Sequence, residues 1–220
     1  MLLMDMNARE TLIEFMRDIP WLNQRSAGLV KKYHSHCIKN KQLHYIATHQ
    51  YKTPRNNDGF VRVYGDKKGI YCFRYFRIYD GRDTQYLYWY GNSVDNKCYV
   101  MLATSHFIRR WSERHHGDNI GKFFAEMEGR RQFIMNEDNN KSFGMDDGIV
   151  FFDIEVVLGL GAIIVLKTFV SNDLLHDNQL EEKEKLKKYN DIVREFGGGT
   201  NVAKSGDKER LIKYGKTLFR

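Results

Sequence analysis

Cysteine is scarce in this chain of 220 residues, which contains only Cys37, Cys72 and Cys98. Because these residues lie far apart and are odd in number, they form neither a disulfide framework nor a paired zinc motif. His34, His36 and Cys37 are possible metal ligands, but alternate residues of a helix do not share a face, and no second ligand cluster has a suggestive spacing. We therefore expect a protein of the reducing cytoplasm that uses no metal and no cofactor.

Long apolar runs are also missing. The longest covers residues 156–166 and is interrupted by Gly159 and Gly161, whereas a helix needs about 20 apolar residues to span a bilayer. This run predicts two buried strands that meet at a glycine turn. The amino terminus carries Arg9 and Glu10 where a signal peptide would have its apolar core. We therefore expect neither export nor a membrane partner.

Acidic residues are outnumbered by basic ones. The 35 Lys and Arg against 28 Asp and Glu give a net charge of +7 and an isoelectric point near 9.2. The hydrophobic content of 42% and the aromatic content of 14% are typical of a globular, strand-rich protein. A positive balance attracts polyanions without determining a fold. Nucleic acid, with RNA favoured, is therefore the expected partner.

Three parts are predicted along the chain: an N-terminal helical segment (1–42), an α+β core domain (43–196) and a flexible basic tail (197–220). We expect the first part to offer a surface to a protein partner. The tail begins with three glycines, which favour flexibility, and its cations suit electrostatic contact with nucleic acid. The tail residues predicted to bind nucleic acid are Lys204, Lys208, Arg210 and Lys213.

Helix signals mark the N-terminal segment. Asn7 and Glu10 form a capping-box pattern ahead of an apolar repeat. The pattern predicts a first helix that ends at Pro20, because proline interrupts helical hydrogen bonding. A second helix is predicted from Ser26 to about Asn40.

Strand patterns dominate the core domain, where aromatic and β-branched residues are bounded by glycine turns. The strands predicted before the central helix are residues 60–64, 70–79, 85–90 and 98–103. Short turns between consecutive strands favour an antiparallel meander. The elements predicted after the central helix are a helix from Asn119 to Glu128, a polar loop from Asn136 to Ser142, paired strands 149–157 and 162–170, and a charged helix 181–195. This order favours an α+β fold, an antiparallel sheet with helices packed on one face.

The central segment, residues 105–115, separates into two sides when it is read as a helix. The apolar side holds Phe107, Ile108, Trp111 and His115. The ionisable side holds His106, Arg109, Arg110, Glu113 and Arg114. Ser105 is the predicted N-cap, which places His106 in the first turn, where free backbone N–H groups favour an anion. Histidine moves protons near neutral pH, and arginine binds phosphate with two parallel hydrogen bonds.

Simpler interpretations of these patterns stay open. Most amphipathic helices with a charged outer side are solvated surface elements. The alternating aromatics of the strand 70–79 suit base stacking by a single strand of nucleic acid, or they form a second buried face of the sheet. These aromatics are Tyr71, Phe73, Tyr75 and Tyr79.

The order of elements supports a resemblance. A strand is followed by a helix with His-x-x-x-Arg-x-x-Glu-Arg, from His106 to Arg114, then by a short helix and a β-pair. This order resembles the toxin-like ribonucleases of the barnase–EndoU–colicin–RelE group. It is also similar to uncharacterised gut-bacterial or phage proteins in which a His-Phe-x-x-Arg-x-x-Glu-Arg helix precedes a glycine-containing β-pair ending in Thr-Phe, here residues 147–171. The resemblance covers roughly residues 97–180.

The resemblance implies metal-free cleavage of RNA, in which a ribose 2′-hydroxyl attacks the adjacent phosphate. It makes His106 the general acid or base, with Arg110 and Arg114 stabilising the charge on the phosphate. Three roles are open for Glu113: it orients His106, carries a second proton, or forms a structural ion pair.

The β-pair adds one basic candidate, Lys167. Strand alternation predicts that Lys167 and Phe169 share one face while Thr168 points to the other, so only one of the two sets can face the site. We choose Lys167 as a catalytic candidate and Arg109 as a nucleic-acid contact. The alternative to an endoribonuclease is a non-enzymatic phage or mobile-element protein, structural or packaging, that contacts nucleic acid or protein partners.

Overall fold

The chain is described by a computed structural model that covers residues 1–34, 44–92, 97–115, 120, 123–124, 142–145, 147–177, 180–181 and 184. Its helices are α1 (Ala8–Tyr33) and α2 (Ser105–His115), with a short 3-10 helix over Asn172–Leu174. Its strands are β1 (His44–Lys52), β2 (Asp58–Asp66), β3 (Gly69–Tyr79), β4 (Thr84–Asn92), β5 (Cys98–Ala103), β6 (Ser142–Met145), β7 (Gly148–Val157) and β8 (Gly161–Ser171). The predicted tail 197–220 and most of the predicted helices 119–128 and 181–195 lie outside the described residues.

One sheet contains the eight described strands in the order β1-β2-β3-β4-β5-β8-β7-β6. Its neighbours are antiparallel except β5 and β8, which are parallel. The predicted meander is confirmed as β2 to β5, and the predicted later pair as β7 and β8. Strands β1 and β6 were not predicted. The architecture is α+β, with a mostly antiparallel sheet.

The turn between β7 and β8 depends on glycine. Gly159 and Gly161 have φ values of +76° and +142°, in the region that L side chains rarely adopt. A Cβ atom on Gly161 would stand 1.8 Å from the carbonyl oxygen of Cys98, its partner in the parallel ladder. Gly161 therefore permits β8 to lie against β5. The predicted glycine turn is confirmed, although Val156, predicted to be buried, is 71% exposed.

Helix α1 runs without interruption through Pro20, so the predicted helix end at that residue is wrong. The predicted capping box at Asn7 and Glu10 is confirmed. Pro20 is exposed, while the apolar repeat continues past it with Leu22 and Leu29 buried against the sheet. An interior proline costs a hydrogen bond, but tertiary packing supplies most of the stability of a protein helix. The packing of α1 on the sheet therefore outweighs the tendency of Pro20 to end the helix.

Helices α1 and α2 contact opposite faces of the sheet. The prediction that helices pack on one face concerns the core domain, where the described residues Ile120, Phe123 and Phe124 share one core with α2. Helix α1 shares a core with Val100 and Ile163, which we call the α1-side core. Helix α2 shares a core with Met101 and Ile164, which we call the α2-side core. Adjacent residues of a strand point to opposite faces. Because strands such as β5 and β8 are apolar on both faces, other elements must pack on each face of the sheet to bury these side chains.

Candidate nucleic-acid interface

The start of α2 is fixed to two strands. Thr104, rather than the predicted Ser105, is the N-cap: its Oγ1 accepts a hydrogen bond from the backbone N–H of Phe107 at 3.2 Å. The same hydroxyl donates to the carbonyl oxygen of Leu166 in β8 at 2.9 Å. Ser105 Oγ donates to the carbonyl oxygen of Thr84 in β4, also at 2.9 Å. The first turn of α2 is thereby held against β4 and β8.

Helix α2 has the two sides that its sequence predicts. Phe107 and Trp111 are 0% and 1% exposed in the α2-side core, and the Trp111 ring lies 4.8 Å from that of Phe169 in a T-shaped contact. Ile108 is half-buried. The apolar side is confirmed for these residues, whereas the side chain of His115 lies outside the description. The ionisable side includes the exposed His106 and Arg109.

A surface pocket of about 360 Å³ opens beside the first turn of α2. His106 Nδ1 and Arg109 Nη2 are 3.4 Å apart there. Imidazole and guanidinium thus line one cavity together with a carboxylate, a combination suited to binding and protonating a phosphate ester. The lining residues are Asp83, Thr84, Ser105, His106 and Arg109.

Sequence reasoning missed two lining residues, Asp83 and Thr84, of which Asp83 is the charged one. Asp83 lies in the turn between β3 and β4, where the Asp80 carboxylate accepts hydrogen bonds from the backbone N–H groups of Asp83 and Arg82, each at 2.9 Å. These backbone bonds lower the pKa of Asp80. Gly81 takes a φ of +97° in the same turn. The turn signal Asp-Gly and the β4–β5 pairing would have placed Asp83 near the start of α2.

Arg110 and Glu113 form an ion pair with each other. The distance between Arg110 Nη1 and Glu113 Oε2 is 3.2 Å, and the two side chains are 40% and 49% exposed. Of the three roles left open for Glu113, the structural ion pair is the one with a contact in the structure. Exposed pairs of this kind contribute up to about 1 kcal/mol of stability. Neither residue lines the pocket.

Arg114 lies in the last turn of α2 and contacts β8. Its Nη1 donates a hydrogen bond to the carbonyl oxygen of Phe169. Its charge also contributes to lowering the pKa of Asp173, after the hydrogen bonds from Ser171 and the Asp173 backbone. Arg114 is eight positions after His106, which corresponds to about 12 Å along the helix axis. The structure therefore places Arg114 away from the pocket.

Lys167 lies on the opposite face of the sheet from α2. Its Nζ is 3.3 Å from Asp153 Oδ2, and Asp153 pairs with Val165 of the α1-side core. The register of β7 and β8 shifts between Phe151 and Phe152, so that Lys167 is an extra residue without a partner in the ladder. Such a bulge breaks strand alternation. The expectation that Lys167 shares a face with Phe169 is therefore wrong.

Two of the four alternating aromatics of β3 form core. Phe73 and Tyr75 are 5% and 6% exposed in the α2-side core, which confirms the buried-face interpretation for them. Tyr71 and Tyr79 at the strand ends are exposed. The tail candidates lie outside the described residues and stay predictions: Lys204, Lys208, Arg210 and Lys213.

Within the described part of the chain, no group of three or more His, Cys, Asp or Glu side chains is placed to hold a metal ion. No helix of the described ranges has the length and apolar content needed to cross a bilayer. Comparison with protein-family models, curated proteins and solved structures gave no match to this chain.

Proposed function

We propose that this protein binds RNA with a phosphate group in the pocket at the start of α2, and that His106 carries the proton in metal-independent cleavage. The observation that carries the proposal is that His106 and Arg109 line one pocket with Asp83. Arg109 supplies a fixed positive charge to the phosphate. The first turn of α2 adds backbone N–H groups that favour an anion.

The proposed reaction uses the ribose 2′-hydroxyl as nucleophile. His106 accepts its proton, the 2′-oxygen forms a bond to phosphorus, and the bond to the 5′-oxygen breaks. The leaving 5′-oxygen takes a proton from water, and the hydroxide formed in that step removes the proton from His106, so the products are a 2′,3′-cyclic phosphate and a 5′-hydroxyl. Arg109 neutralises charge on the phosphate, and Asp83 provides the carboxylate that stabilises the protonated imidazole.

The test is cleavage of a mixed-sequence RNA in the presence of EDTA. We expect His106→Ala to lower the rate by about 100-fold or more, the usual contribution of a general acid or base. Arg109→Ala should weaken RNA binding as well as cleavage. Lys167→Ala is the matched control, because it removes a cation on the other face of the sheet. Cleavage by His106→Ala at the wild-type rate would show that His106 is not catalytic.

Binding without cleavage is the second candidate function. It is favoured by the contacts of Arg110, Glu113 and Arg114, which pair with each other or with the Phe169 carbonyl rather than with the pocket. In that case the wild-type protein binds RNA and leaves it intact, while Arg109→Ala still weakens binding. No RNA binding at low salt would contradict both candidates.

A further inference from the structure

One long stretch of the chain is basic and free of acidic residues. Residues 19–57 contain no Asp or Glu, but they contain seven Lys and Arg. The rest of the chain is electrically balanced, with 28 residues of each sign. This acid-free stretch includes the C-terminal half of α1 and all of β1. The cations in it are Arg25, Lys31, Lys32, Lys39, Lys41, Lys52 and Arg55.

Four aromatic rings form a ladder where α1 packs beside β1. The Trp21 and Tyr51 ring centroids are 5.9 Å apart in a T-shaped contact. Tyr51 stacks on His49 at 6.3 Å, and His49 lies 5.7 Å from Tyr33, whose hydroxyl is 3.0 Å from His49 Nε2. All four side chains are half-buried. The ladder is thus held in place by packing while each of the four residues stays partly accessible.

Two exposed cations lie over the two end rings of the ladder, Trp21 and Tyr33. The Arg25 guanidinium lies 4.8 Å from the centre of the Trp21 ring, and Lys32 Nζ lies 5.2 Å from the centre of the Tyr33 ring. Both side chains are exposed. We call these six residues the α1–β1 surface. It belongs to the face of the sheet opposite α2 and its pocket.

We propose that the α1–β1 surface binds single-stranded nucleic acid, with Arg25 and Lys32 turning from the ring faces to the phosphates so that bases stack against the aromatic ladder. Aromatic rings flanked by cations are how sequence-tolerant single-strand sites are built, because every base has a flat face and every nucleotide a negative charge. The stretch 19–57 contains no acidic residue; Lys52 and Arg55 pair with Asp58 and Glu14 outside it, whereas Arg25 and Lys32 lie against aromatic rings. This site stands apart from the proposed pocket and does not depend on cleavage.

Tryptophan fluorescence tests the contact directly, with a single-stranded oligothymidylate DNA of about 12 nucleotides as the probe, because DNA lacks the 2′-hydroxyl on which the proposed cleavage depends. Stacking of a base on Trp21 should quench emission of the wild-type protein. Trp21→Phe keeps an aromatic ring for packing but should remove most of that quenching. Trp21→Leu should weaken binding about fivefold or more, as expected for the loss of one stacked base.

Charge variants give an independent readout. The double variant Arg25→Gln and Lys32→Gln should reduce the slope of log affinity against log salt by about 1.4, since each phosphate contact contributes about 0.7 for single strands. Lys67→Gln with Lys68→Gln is the matched control, because these exposed residues lie in the turn between β2 and β3 and carry the same charge. The control should keep the wild-type slope.

Three outcomes would overturn the proposal. The first is an unchanged salt slope and affinity in the Arg25 and Lys32 variant. The second is equal quenching in the wild type and in Trp21→Phe. The third is tight binding of heparin, a polyanion without bases, with no binding of the oligothymidylate, which would assign the surface to an acidic partner. His106→Ala should retain full quenching, so that failure of the pocket and failure of this surface are distinguished.

Discussion

Glu14 and Arg55 form a two-pronged ion pair that joins α1 to the connection between β1 and β2. Arg55 Nε donates to Glu14 Oε1 at 2.9 Å, and Nη2 donates to Oε2 at 3.3 Å. Glu14 is only 5% exposed, and the Met1 ammonium is a further partner at 2.6 Å. The hydrogen bonds from Arg55, with those of the ammonium, hold the pKa of Glu14 down to about 2.

This pair predicts a loss of stability in acid. Because the pKa of Glu14 is lower in the folded state than its usual 4.5, the stabilisation is present above pH 4.5 and disappears as the pH falls towards 2. Its size is on the order of 3 kcal/mol at most. Urea unfolding at several pH values should show a shallower acid dependence for Glu14→Gln than for the wild type. Identical pH profiles would refute this assignment.

Loss of the Thr104 cap should destabilise the protein. Thr104→Ala removes the N-cap hydroxyl of α2 and its bond to Leu166, and loss of such a cap costs about 1 to 2 kcal/mol. Thr104→Ser keeps the hydroxyl and should restore most of the stability. Thermal and denaturant unfolding measure both variants. Equal destabilisation by Ala and Ser would show that the methyl group, rather than the hydroxyl, matters.

Two substitutions should distinguish the buried side of α2 from its exposed side by their effect on stability. Trp111→Ala should cost about 3 to 5 kcal/mol of unfolding free energy, because it removes a fully buried ring and leaves a cavity. His106→Ala should change stability by about 0.5 kcal/mol or less, because its side chain is exposed. Circular dichroism melts provide the measurement. Unfolding of the His106 variant would make that residue structural and contradict its place in an open pocket.

Substitutions of Gly159 and Gly161, at the connection between β7 and β8, should lower the free energy of unfolding by different amounts. Gly161→Ala should destabilise by about 2 to 4 kcal/mol, because its backbone conformation disfavours a side chain and the new methyl group would meet Cys98. Gly159 has open space around it, and asparagine tolerates its φ. Gly159→Asn should therefore cost less than about 1 kcal/mol. A reversed order of the two costs would contradict the close β5–β8 approach.

Much of the fold follows from local sequence signals. The alternation in β2 to β5, the capping box at Asn7 and the glycine turn at Gly159 are each visible within a few residues. The two sides of α2 follow from helical periodicity, which correctly separates Trp111 from His106. These features are predictable because each is determined by neighbouring residues.

The features that sequence reasoning missed depend on distant partners. Helix α1 continues through Pro20 because its apolar side packs on the sheet. Lys167 changes face because of a bulge that alternation cannot show. Asp83 joins the pocket because β4 pairs with β5 and brings the preceding turn to α2. Strand β1 was missed because its alternating residues are mostly polar, and its pairing with β2 becomes visible only in the folded chain.

Both ends of helix α2 are hydrogen-bonded to the same strand, β8. Thr104 holds its start and Arg114 holds its end to carbonyl oxygens of β8, at Leu166 and Phe169. No residue of β8 lines the pocket, yet this strand sets the angle at which His106 and Arg109 are presented. Substitutions in β8 that shift these two carbonyl groups would therefore move His106 and Arg109 within the pocket. They would do so without altering any residue that lines it.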